Sequence, residues 1–323
     1  MLTEIAWLIG GLILITLASD WLVDGASALA RRFGVTEFVI GMTVVGFGTS
    51  MPEMVSSLFS ALEGHGDMAI GNVVGSNICN ILLILGVTAM ISPVAFSRKN
   101  VKVDIPICIA ATALLMAMLY RWFSSDSPQL LSRIDGIILL VCFIVFMIYS
   151  FKTGKAEPSA HAQEEKEKTM PLWKSSLLTL LGIGGLIVGG KLFVNHTIAF
   201  AQMLHVSDAF ISVTLMALGT SLPELATCIV AAVKKKNELA LGNIIGSNIF
   251  NIMLILGVSA SVTPLHVVSL TRVDMGVVML SAIMLWTAAY CFKRYKLDRV
   301  DAGFYLLLYV AYSVWLFMTA TAA

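Results

Sequence analysis

The segment Gly48-Thr49-Ser50-Met51-Pro52-Glu53 recurs 171 residues later as Gly219-Thr220-Ser221-Leu222-Pro223-Glu224. Around these two copies, residues 40–94 align with residues 211–265 without a gap. Each copy carries one glutamate inside an otherwise apolar run. An ionised carboxylate is costly in hydrocarbon, so we expect both glutamates to face something that offsets this cost. A bound cation is the simplest candidate.

The second pair of repeated segments carries a polar stripe. Residues 71–80 read GNVVGSNICN, and residues 242–251 read GNIIGSNIFN. Residues four positions apart share one face of a helix. The polar residues at that spacing are Asn72, Ser76, Asn80, Asn243, Ser247 and Asn251. Asn77 and Asn248 point about 100° away from the stripe, and we expect them to serve helix packing or hairpin bonding.

The composition places the chain in a lipid bilayer. Apolar residues make up 58% of it and charged residues 13%, and the mean hydropathy of +0.89 lies far above that of soluble domains. A run of about 20 apolar residues is long enough to cross the hydrocarbon as a helix. The predicted fold is therefore an all-α integral membrane protein. We expect ten transmembrane helices, near residues 5–29, 38–62, 68–91, 103–123, 134–151, 174–201, 209–233, 239–262, 273–293 and 301–320.

Basic residues predict how these helices cross, because short cytoplasmic loops carry an excess of Lys and Arg. With the N terminus outside, one side has only Arg121, Arg133 and Arg272, while Lys191 lies within a helix. Both termini are therefore predicted outside. The minimal loops favour a multi-pass protein of a prokaryotic cytoplasmic (inner) membrane. Seventeen basic residues then lie in cytoplasmic loops, namely Arg31, Arg32, Arg98, Lys99, Lys102, Lys152, Lys155, Lys166, Lys168, Lys174, Lys234, Lys235, Lys236, Lys293, Arg294, Lys296 and Arg299.

An odd number of helices in each copy predicts an inverted duplication. If each repeat has five helices, the second repeat must enter the membrane from the opposite face. The expected organisation is a first inverted repeat over residues 1–151, a cytoplasmic linker over residues 152–172 and a second inverted repeat over residues 173–323. Inverted repeats with interrupted helices are a design of secondary transporters.

The proline in each copy predicts a helix break beside the glutamate. Pro52 has no amide hydrogen to donate and its ring clashes with the carbonyl group of Gly48, so the helix must open there. Irregular backbone at membrane depth persists only where it lines a polar cavity or is buried in protein. Thr49 and Ser50 lie four and three residues before Glu53, so their hydroxyl groups can share a face with its carboxylate.

Carboxylates, hydroxyl groups, amide oxygens and freed carbonyl oxygens together make an all-oxygen set of ligands. Such a set suits hard cations, above all Ca²⁺, which accepts about six to eight oxygens. Na⁺ accepts similar donors. The charge of two glutamates balances one Ca²⁺ or two Na⁺. Without bound cations the two carboxylates repel each other, so we expect protons or cations to occupy the site nearly always. No set of cysteines and histidines argues for zinc or copper.

The paired G-T-S-x-P-E and G-N-x-x-G-S-N-I-x-N segments resemble the alpha repeats of the sodium/calcium exchangers, within the calcium/cation antiporter group. The resemblance covers essentially the whole chain. It implies a secondary active antiporter that exchanges Ca²⁺ for Na⁺ by alternating access, with the first and sixth helices sliding as a pair. It also implies the ion ligands, which are Glu53 and Glu224 at the centre, the side chains of Thr49, Ser50, Thr220, Ser221, Ser76, Ser247, Asn80 and Asn251, and the backbone carbonyls of Gly46 and Ala217.

One departure from the family pattern concerns Asn80 and Asn251. Many exchangers have aspartate in at least one of these positions, and this chain has asparagine in both. The site thus has one fewer carboxylate, which bears on the coupling ratio, on potassium dependence and on the driving ion. We expect weaker charge movement per cycle than in an aspartate-bearing relative. The alternative function is an H⁺-coupled or other cation antiporter, such as a K⁺-dependent one, on the same scaffold.

Other classes of function fit the sequence less well. A channel commonly builds its pore on a symmetry axis through several subunits, whereas one chain here holds a complete pair of repeats. An enzyme is not expected, because no nucleophile and base pair or cofactor fingerprint appears. The expected partners are Ca²⁺ and Na⁺, with H⁺ or K⁺ as alternatives, and membrane lipid. The net charge of +1 gives no reason to expect nucleic acid, and we expect no cofactor and no obligatory protein partner.

Several charged residues lie outside the repeated motifs. We expect Asp20 and Asp24, near Arg31 and Arg32, to snorkel or pair locally, with gating or proton access as the alternative. Inversion would place Asp20 and Lys191 on opposite sides of the membrane, so we expect no direct pair between them. Helix caps are the simplest role for Asp104, Asp135, Asp274 and Asp301.

Overall fold

The structure is a computed structural model that describes residues 2–120, 130–155, 170–203, 217–267, 271–292 and 295–322. Within these residues the protein is a bundle of α-helices with four two-residue strands in its connecting segments. Residues 156–169, which form most of the predicted linker, lie outside the described residues, as do the basic residues Arg121, Lys166, Lys168, Lys293 and Arg294.

The helices begin and end within about one turn of the predicted bounds. The first half contains α1 (Leu2–Phe33), α2 (Glu37–Thr49), α3 (Met51–Leu62), α4 (Gly66–Ile91), α5 (Asn100–Tyr120) and α6 (Arg133–Thr153). The second half contains α7 (Leu172–Met203), α8 (Ala217–Thr220), α9 (Leu222–Val233), α10 (Asn237–Val262), α11 (Arg272–Tyr290) and α12 (Arg299–Ala322). The strands are β1 (Val94–Ala95), β2 (Leu130–Leu131), β3 (Leu265–His266) and β4 (Lys296–Leu297).

The lengths and composition of the helices confirm an all-helical, multi-pass membrane protein. Eight of the described helices are long and apolar enough to cross a membrane, and α2 with α3, bent by 47° at the break between them, meets the same criterion as a pair. Of the predicted helix near residues 209–233, the described part comprises α8 and α9. Its first residues lie outside the described ranges.

Burial separates inner helices from outer ones. In the most apolar 18-residue stretch of each helix, 94% of α10 and 72% of α4 are buried, against 11% of α12. The two helices that carry the polar stripes therefore occupy the centre of the bundle, and outer helices such as α12 present apolar side chains to lipid. A polar stripe in the centre can face protein groups or ions, which lowers the cost of its position at membrane depth.

The two longest helices, α1 and α7, pack against each other in antiparallel directions through glycine. An added Cβ atom at Gly182 would lie 2.7 Å from the backbone nitrogen of Leu22, and one at Gly11 would lie 2.9 Å from that of Phe193. At Gly25 the same atom would lie 2.8 Å from the carbonyl oxygen of Ser175. Small residues let helix backbones touch in a membrane. The close contact makes α1 and α7 one packed unit.

Contacts between connecting segments define the two ends of the bundle. At one end, called the basic end because Lys234 and its neighbours lie there, β1 pairs with β4 and Asn237 donates to the Ser92 hydroxyl at 2.8 Å. At the opposite end, called the terminal end, β2 pairs with β3 and the His196 ring contacts Glu4. Because α1 starts at the terminal end and α12 runs toward it, the first and last described residues, Leu2 and Ala322, lie at that end.

Three of the four predicted aspartate caps are confirmed. Asp135 and Asp274 form capping boxes with Ser132 and Thr271, and the Asp301 carboxylate accepts from a backbone amide before α12.

The prediction for Asp104 is wrong, because this residue lies inside a π-helical turn and is 0% exposed. It accepts from Asn100 Nδ2 at 3.1 Å, while Ser97 and Asn100 cap the helix instead.

Asp20 and Asp24 do not pair with the basic residues nearest to them in sequence. Lys234, at the end of α9, lies 2.7 Å from a carboxylate oxygen of each, and Arg31 instead donates to the carbonyl of Ser27 at 3.4 Å. Packing of α1 against α9 decides this pairing, because it brings together residues far apart in the sequence.

Replacing Gly242 with alanine is expected to destabilise the protein. A Cβ atom at this position would overlap the carbonyl oxygen of Phe38 and lie 2.9 Å from the backbone nitrogen of Met42, and backbone cannot move aside cheaply. Overpacking of this kind costs about 1 to 3 kcal/mol. The Tm of purified Gly242→Ala in detergent should fall, while that of the control Gly276→Ala, whose Cβ would meet nothing within 4 Å, should not. Equal Tm values for both variants would contradict this packing.

Candidate functional site

The helix breaks predicted beside the two glutamates are present. In the first copy α2 ends at Thr49, α3 begins at Met51, and Ser50 between them has φ −84° and ψ 8°. In the second copy Ser221, with φ −87° and ψ 4°, separates α8 from α9 in the same way. Proline stands in the first turn of each new helix, where its missing amide hydrogen costs nothing.

Each break places a glutamate in the first turn of a new helix. Glu53 lies in the first turn of α3 and Glu224 in the first turn of α9. The amide groups at a helix N terminus carry partial positive charge, which favours a carboxylate there. Both side chains are 1% exposed. The break therefore supplies part of the stabilisation that a buried carboxylate needs.

Each glutamate is bound by a serine from the other half of the chain. Ser50 Oγ donates to Glu224 Oε1 at 2.8 Å, and Ser221 Oγ donates to Glu53 Oε1 at 3.4 Å. These bonds cross between the two sequence repeats. Since each half completes the surroundings of the other's carboxylate, the two glutamates are held at one site.

The hydroxyl groups extend this crossed arrangement to the polar stripes. Ser50 Oγ lies 3.0 Å from Ser247 Oγ, and Ser221 Oγ lies 3.4 Å from Ser76 Oγ. The threonines bond to the asparagines that begin each stripe. Thr49 Oγ1 donates to Asn243 Oδ1 at 3.1 Å, and Thr220 Oγ1 donates to Asn72 Oδ1 at 3.5 Å. The structure thus brings together the serines and threonines that the sequence singled out.

Among the buried side-chain oxygens that have no hydrogen-bond partner within the described residues, four lie on predicted ligands. They are Glu53 Oε2, Glu224 Oε2, Asn80 Oδ1 and Asn251 Oδ1. Leaving a buried acceptor unsatisfied costs about 1 to 3 kcal/mol, and more for a charged one. All four residues are among the cation ligands that the sequence predicts. A hard cation can satisfy acceptors of this kind, since it needs oxygen ligands and no hydrogen.

Cross-repeat hydrogen bonds fix the orientation of the two asparagine ligands. Asn80 Nδ2 donates to Asn248 Oδ1 at 3.2 Å, and Asn251 Nδ2 donates to Asn77 Oδ1 at 2.9 Å. Asn77 in turn donates to the backbone carbonyl of Asn248 at 3.2 Å. Because the amide nitrogens are engaged, the unpartnered oxygens are the free ends of both side chains. The sequence assigned Asn77 and Asn248 to helix packing or hairpin bonding and did not identify their partners.

The two backbone ligands expected from the resemblance are less well defined. The carbonyl oxygen of Gly46 accepts from the amide of Ser50 at 3.1 Å and from Thr49 Oγ1 at 3.5 Å. Ala217 is the first residue of α8 and follows residues that lie outside the described ranges. A role as ion ligand stays a prediction for both.

A cavity of about 300 Å³ adjoins the candidate site. It lies between α3, α7 and the junction of α8 with α9. Thr220 and both prolines line it beside the glutamates, and Lys191 and Asn195 line its wall on α7. The site is therefore bordered by open space on the α7 side.

The fold and the site together define a multi-pass integral membrane protein with a buried cluster of side-chain oxygens in its interior. The chain belongs to the sodium/calcium exchanger family. The sequence model of the family described as sodium/calcium exchanger protein matches residues 3–152 and 174–318. This membership confirms the resemblance that the repeated motifs indicated, and it places the chain among transporters.

Relatives of known name cover almost the whole chain. Sodium/calcium exchanger MaX1 of Methanosarcina acetivorans is 32% identical over 338 residues, which cover 95% of this chain and 96% of that protein. Inner membrane protein YrbG of Escherichia coli (strain K12) is 35% identical over 333 residues, covering 98% and 97%. A solved structure of the sodium-calcium exchanger NCX_Mj, soaked with Na⁺ and Sr²⁺, matches with a TM-score of 0.81 and 34% identity, covering 95% and 96%.

Replacing Asn77 with alanine removes the acceptor that holds the amide of Asn251. That amide can then turn its NH₂ group toward the site in place of its oxygen. We expect purified Asn77→Ala to need about 10- to 100-fold more Ca²⁺ for the same rise in Tm, as is usual when a residue that orients a metal ligand is lost.

Asn237→Ala is the matched control, because Asn237 bonds to Ser92 at the basic end, outside the site. It should keep the Ca²⁺ dependence of the parent protein. An unchanged Ca²⁺ dependence in Asn77→Ala would rule out the orienting role of Asn77.

Proposed function

We propose that this protein is a secondary active antiporter that exchanges Ca²⁺ for Na⁺ across the membrane. The observation that carries the proposal is the set of buried, unpartnered oxygens on Glu53, Glu224, Asn80 and Asn251. Family membership supports the choice of ions, as do relatives named sodium/calcium exchangers. The matching NCX_Mj structure was soaked with Sr²⁺, which like Ca²⁺ is a divalent cation that prefers oxygen ligands.

The proposed ligands are the residues that the family resemblance implies. Glu53 and Glu224 supply the negative charge, and the hydroxyl and amide oxygens complete the coordination. The full set is Glu53, Glu224, Thr49, Ser50, Thr220, Ser221, Ser76, Ser247, Asn80, Asn251 and the carbonyls of Gly46 and Ala217. Na⁺ and Ca²⁺ are cargo in this proposal, and no cofactor and no obligatory protein partner takes part.

Charge balance at the site explains why transport would be an exchange. Two carboxylates are neutralised by one Ca²⁺ or by two Na⁺. Without a cation, two buried carboxylates side by side repel each other and lack solvation, so moving the empty site across the membrane is costly. Each change of access from one side of the membrane to the other therefore requires a bound cation. Because both ions use the same oxygens, binding of one displaces the other.

Alternating access follows from the proposed architecture. We infer ten transmembrane helices in two inverted repeats, over residues 1–151 and 173–323, joined by a cytoplasmic linker over residues 152–172. The antiparallel contact of α1 with α7 and the crossed bonds between the repeats support this inference. In inverted repeats the binding site lies at the repeat interface near the middle of the bilayer.

The proposed orientation places the basic end in the cytoplasm. Lys234, Lys235 and Lys236 lie at this end, as the excess of basic residues in cytoplasmic loops requires. Both termini are then outside, because they lie at the terminal end. The similarity to the inner membrane protein YrbG supports a prokaryotic cytoplasmic (inner) membrane as the location.

Coupling to H⁺ or K⁺ is the second candidate function. The neutral side chains of Asn80 and Asn251 favour it, because they leave two carboxylates where many exchangers have three. Protonation of both glutamates would neutralise the site as two Na⁺ do. The uptake of ⁴⁵Ca²⁺ into proteoliposomes under imposed gradients of Na⁺, K⁺ or H⁺ separates the candidates, since only the coupled ion drives accumulation.

The substitutions Glu53→Gln and Glu224→Gln are expected to abolish Na⁺-driven ⁴⁵Ca²⁺ uptake. Loss of one buried charge that is paired in the loaded state costs about 3 to 5 kcal/mol, which corresponds to a decrease of about 100-fold or more. Glutamine keeps the shape of the side chain, so the Tm without Ca²⁺ should not fall.

Glu238→Gln is the matched control, because Glu238 is an exposed glutamate in the first turn of α10. It should retain uptake at the parent level. Coupled uptake at the parent level in both site variants would discard this assignment of the site.

The substitution Asn251→Asp is expected to steepen the dependence of Ca²⁺ uptake on Na⁺ concentration. A third carboxylate requires a third positive charge for neutrality, and one Ca²⁺ no longer balances the site. The initial rate of uptake, measured over a series of Na⁺ gradients, gives the steepness for parent and variant. An identical Na⁺ dependence would show that position 251 does not contact the driving ion.

A further inference from the structure

An ion pair joins α1 to the end of α9 at the basic end. Lys234 Nζ lies 2.7 Å from Asp20 Oδ1 and 2.7 Å from Asp24 Oδ1. Partial burial lowers the pKa of Lys234, but hydrogen bonds and the charges of both aspartates raise it more, so the lysine stays protonated. The pair joins α1 to the end of α9 at the basic end.

Two of these three positions carry the opposite charge in the other copy, while Asp24 corresponds to the neutral Asn195. At the offset of 171 residues, Asp20 corresponds to Lys191 and Lys234 corresponds to Glu63. In the first set an acid on α1 faces a base at the end of α9. In the second set Lys191 on α7 takes the place of Asp20. Glu63 at the end of α3 takes the place of Lys234. An ion pair is therefore available at both positions.

In this structure Lys191 and Glu63, the two charged residues of the second set, do not form an ion pair with each other. Lys191 lines the cavity of about 300 Å³, whose opposite wall is Met51, Pro52, Val55 and Ser56 of α3. Lys191 and Glu63 are both exposed, and Glu63 contacts His65 at 3.8 Å. An ion pair thus joins α1 to the end of α9, while a cavity lies between α7 and α3.

We propose that Lys191 and Glu63 form the second ion pair of a reciprocal gate. When α1 and α7 shift together, Lys234 separates from Asp20 and Asp24, Lys191 reaches Glu63, and the cavity beside α7 closes. The glycine contacts between α1 and α7 support movement as one unit. Partly exposed ion pairs are weak, so each can open in every cycle. This inference rests on the exchange activity proposed above and adds two residues to it.

Charge reversal tests the gate by transport. The single variants Lys191→Glu and Glu63→Lys place like charges together and should each slow Na⁺-driven ⁴⁵Ca²⁺ uptake about fivefold or more. The double variant restores an opposite pair and should regain most of the parent rate. Lys235→Glu, which reverses an exposed charge at the basic end, is the matched control and should leave the rate unchanged. A double variant as slow as the slower single variant overturns the proposal.

A cross-linking experiment tests the gate without relying on transport. Lys191→Cys combined with Glu63→Cys should be joined by a short bifunctional maleimide, and each single variant corrects for reaction at native cysteines. Adding Lys234→Gln breaks the opposite pair and should raise the cross-linked fraction. An unchanged fraction overturns the gate. If parent vesicles show no Na⁺-driven uptake, the exchange proposal fails, while the cross-linked fraction still decides whether the two pairs alternate.

Discussion

Two carboxylates buried side by side in an apolar bundle set the main physical constraint on this protein. Glu53 and Glu224 are each 1% exposed, and each has one oxygen without a donor among the described residues. Such charges persist only with fixed dipoles, donors or a counter-ion nearby. The helix breaks supply the dipoles and Ser50 and Ser221 supply the donors. The remaining need is for positive charge, which the proposed cargo meets.

The same constraint explains why the halves are so closely interlocked. Because each serine binds the glutamate of the other half, neither half can complete its own site. Asn80 and Asn251 are likewise oriented across the repeats by Asn248 and Asn77. These bonds require α4 and α10 at the centre of the bundle, where their burial places them. Outer helices contribute surface for lipid, and α1 and α7 form a packed unit beside the site.

Features that depend on one segment alone could be predicted from the sequence. Apolar runs predicted the helix bounds to about one turn, and Pro52 with its counterpart predicted the breaks, because hydrophobic length and a missing amide hydrogen act within one segment. Contacts that depend on packing between distant segments could not be predicted. Asp104 resembled a cap but is buried inside its helix, and Asp20 pairs with Lys234 across the bundle. The hydrogen-bond partner of Asn77 was also not predicted, since that partner is Asn251 in the other half.

The linear pattern alone predicted a duplicated, oxygen-rich site within the membrane and the resemblance to the exchanger family, because repeated residue types and their spacing carry that information. The pairings of side chains across the repeats emerged only from the folded bundle. Ser50 is 174 residues from Glu224 in sequence, and no periodicity within either segment specifies that contact. Close packing of glycine-rich helices selects it, since the distance between backbones decides which polar groups can meet.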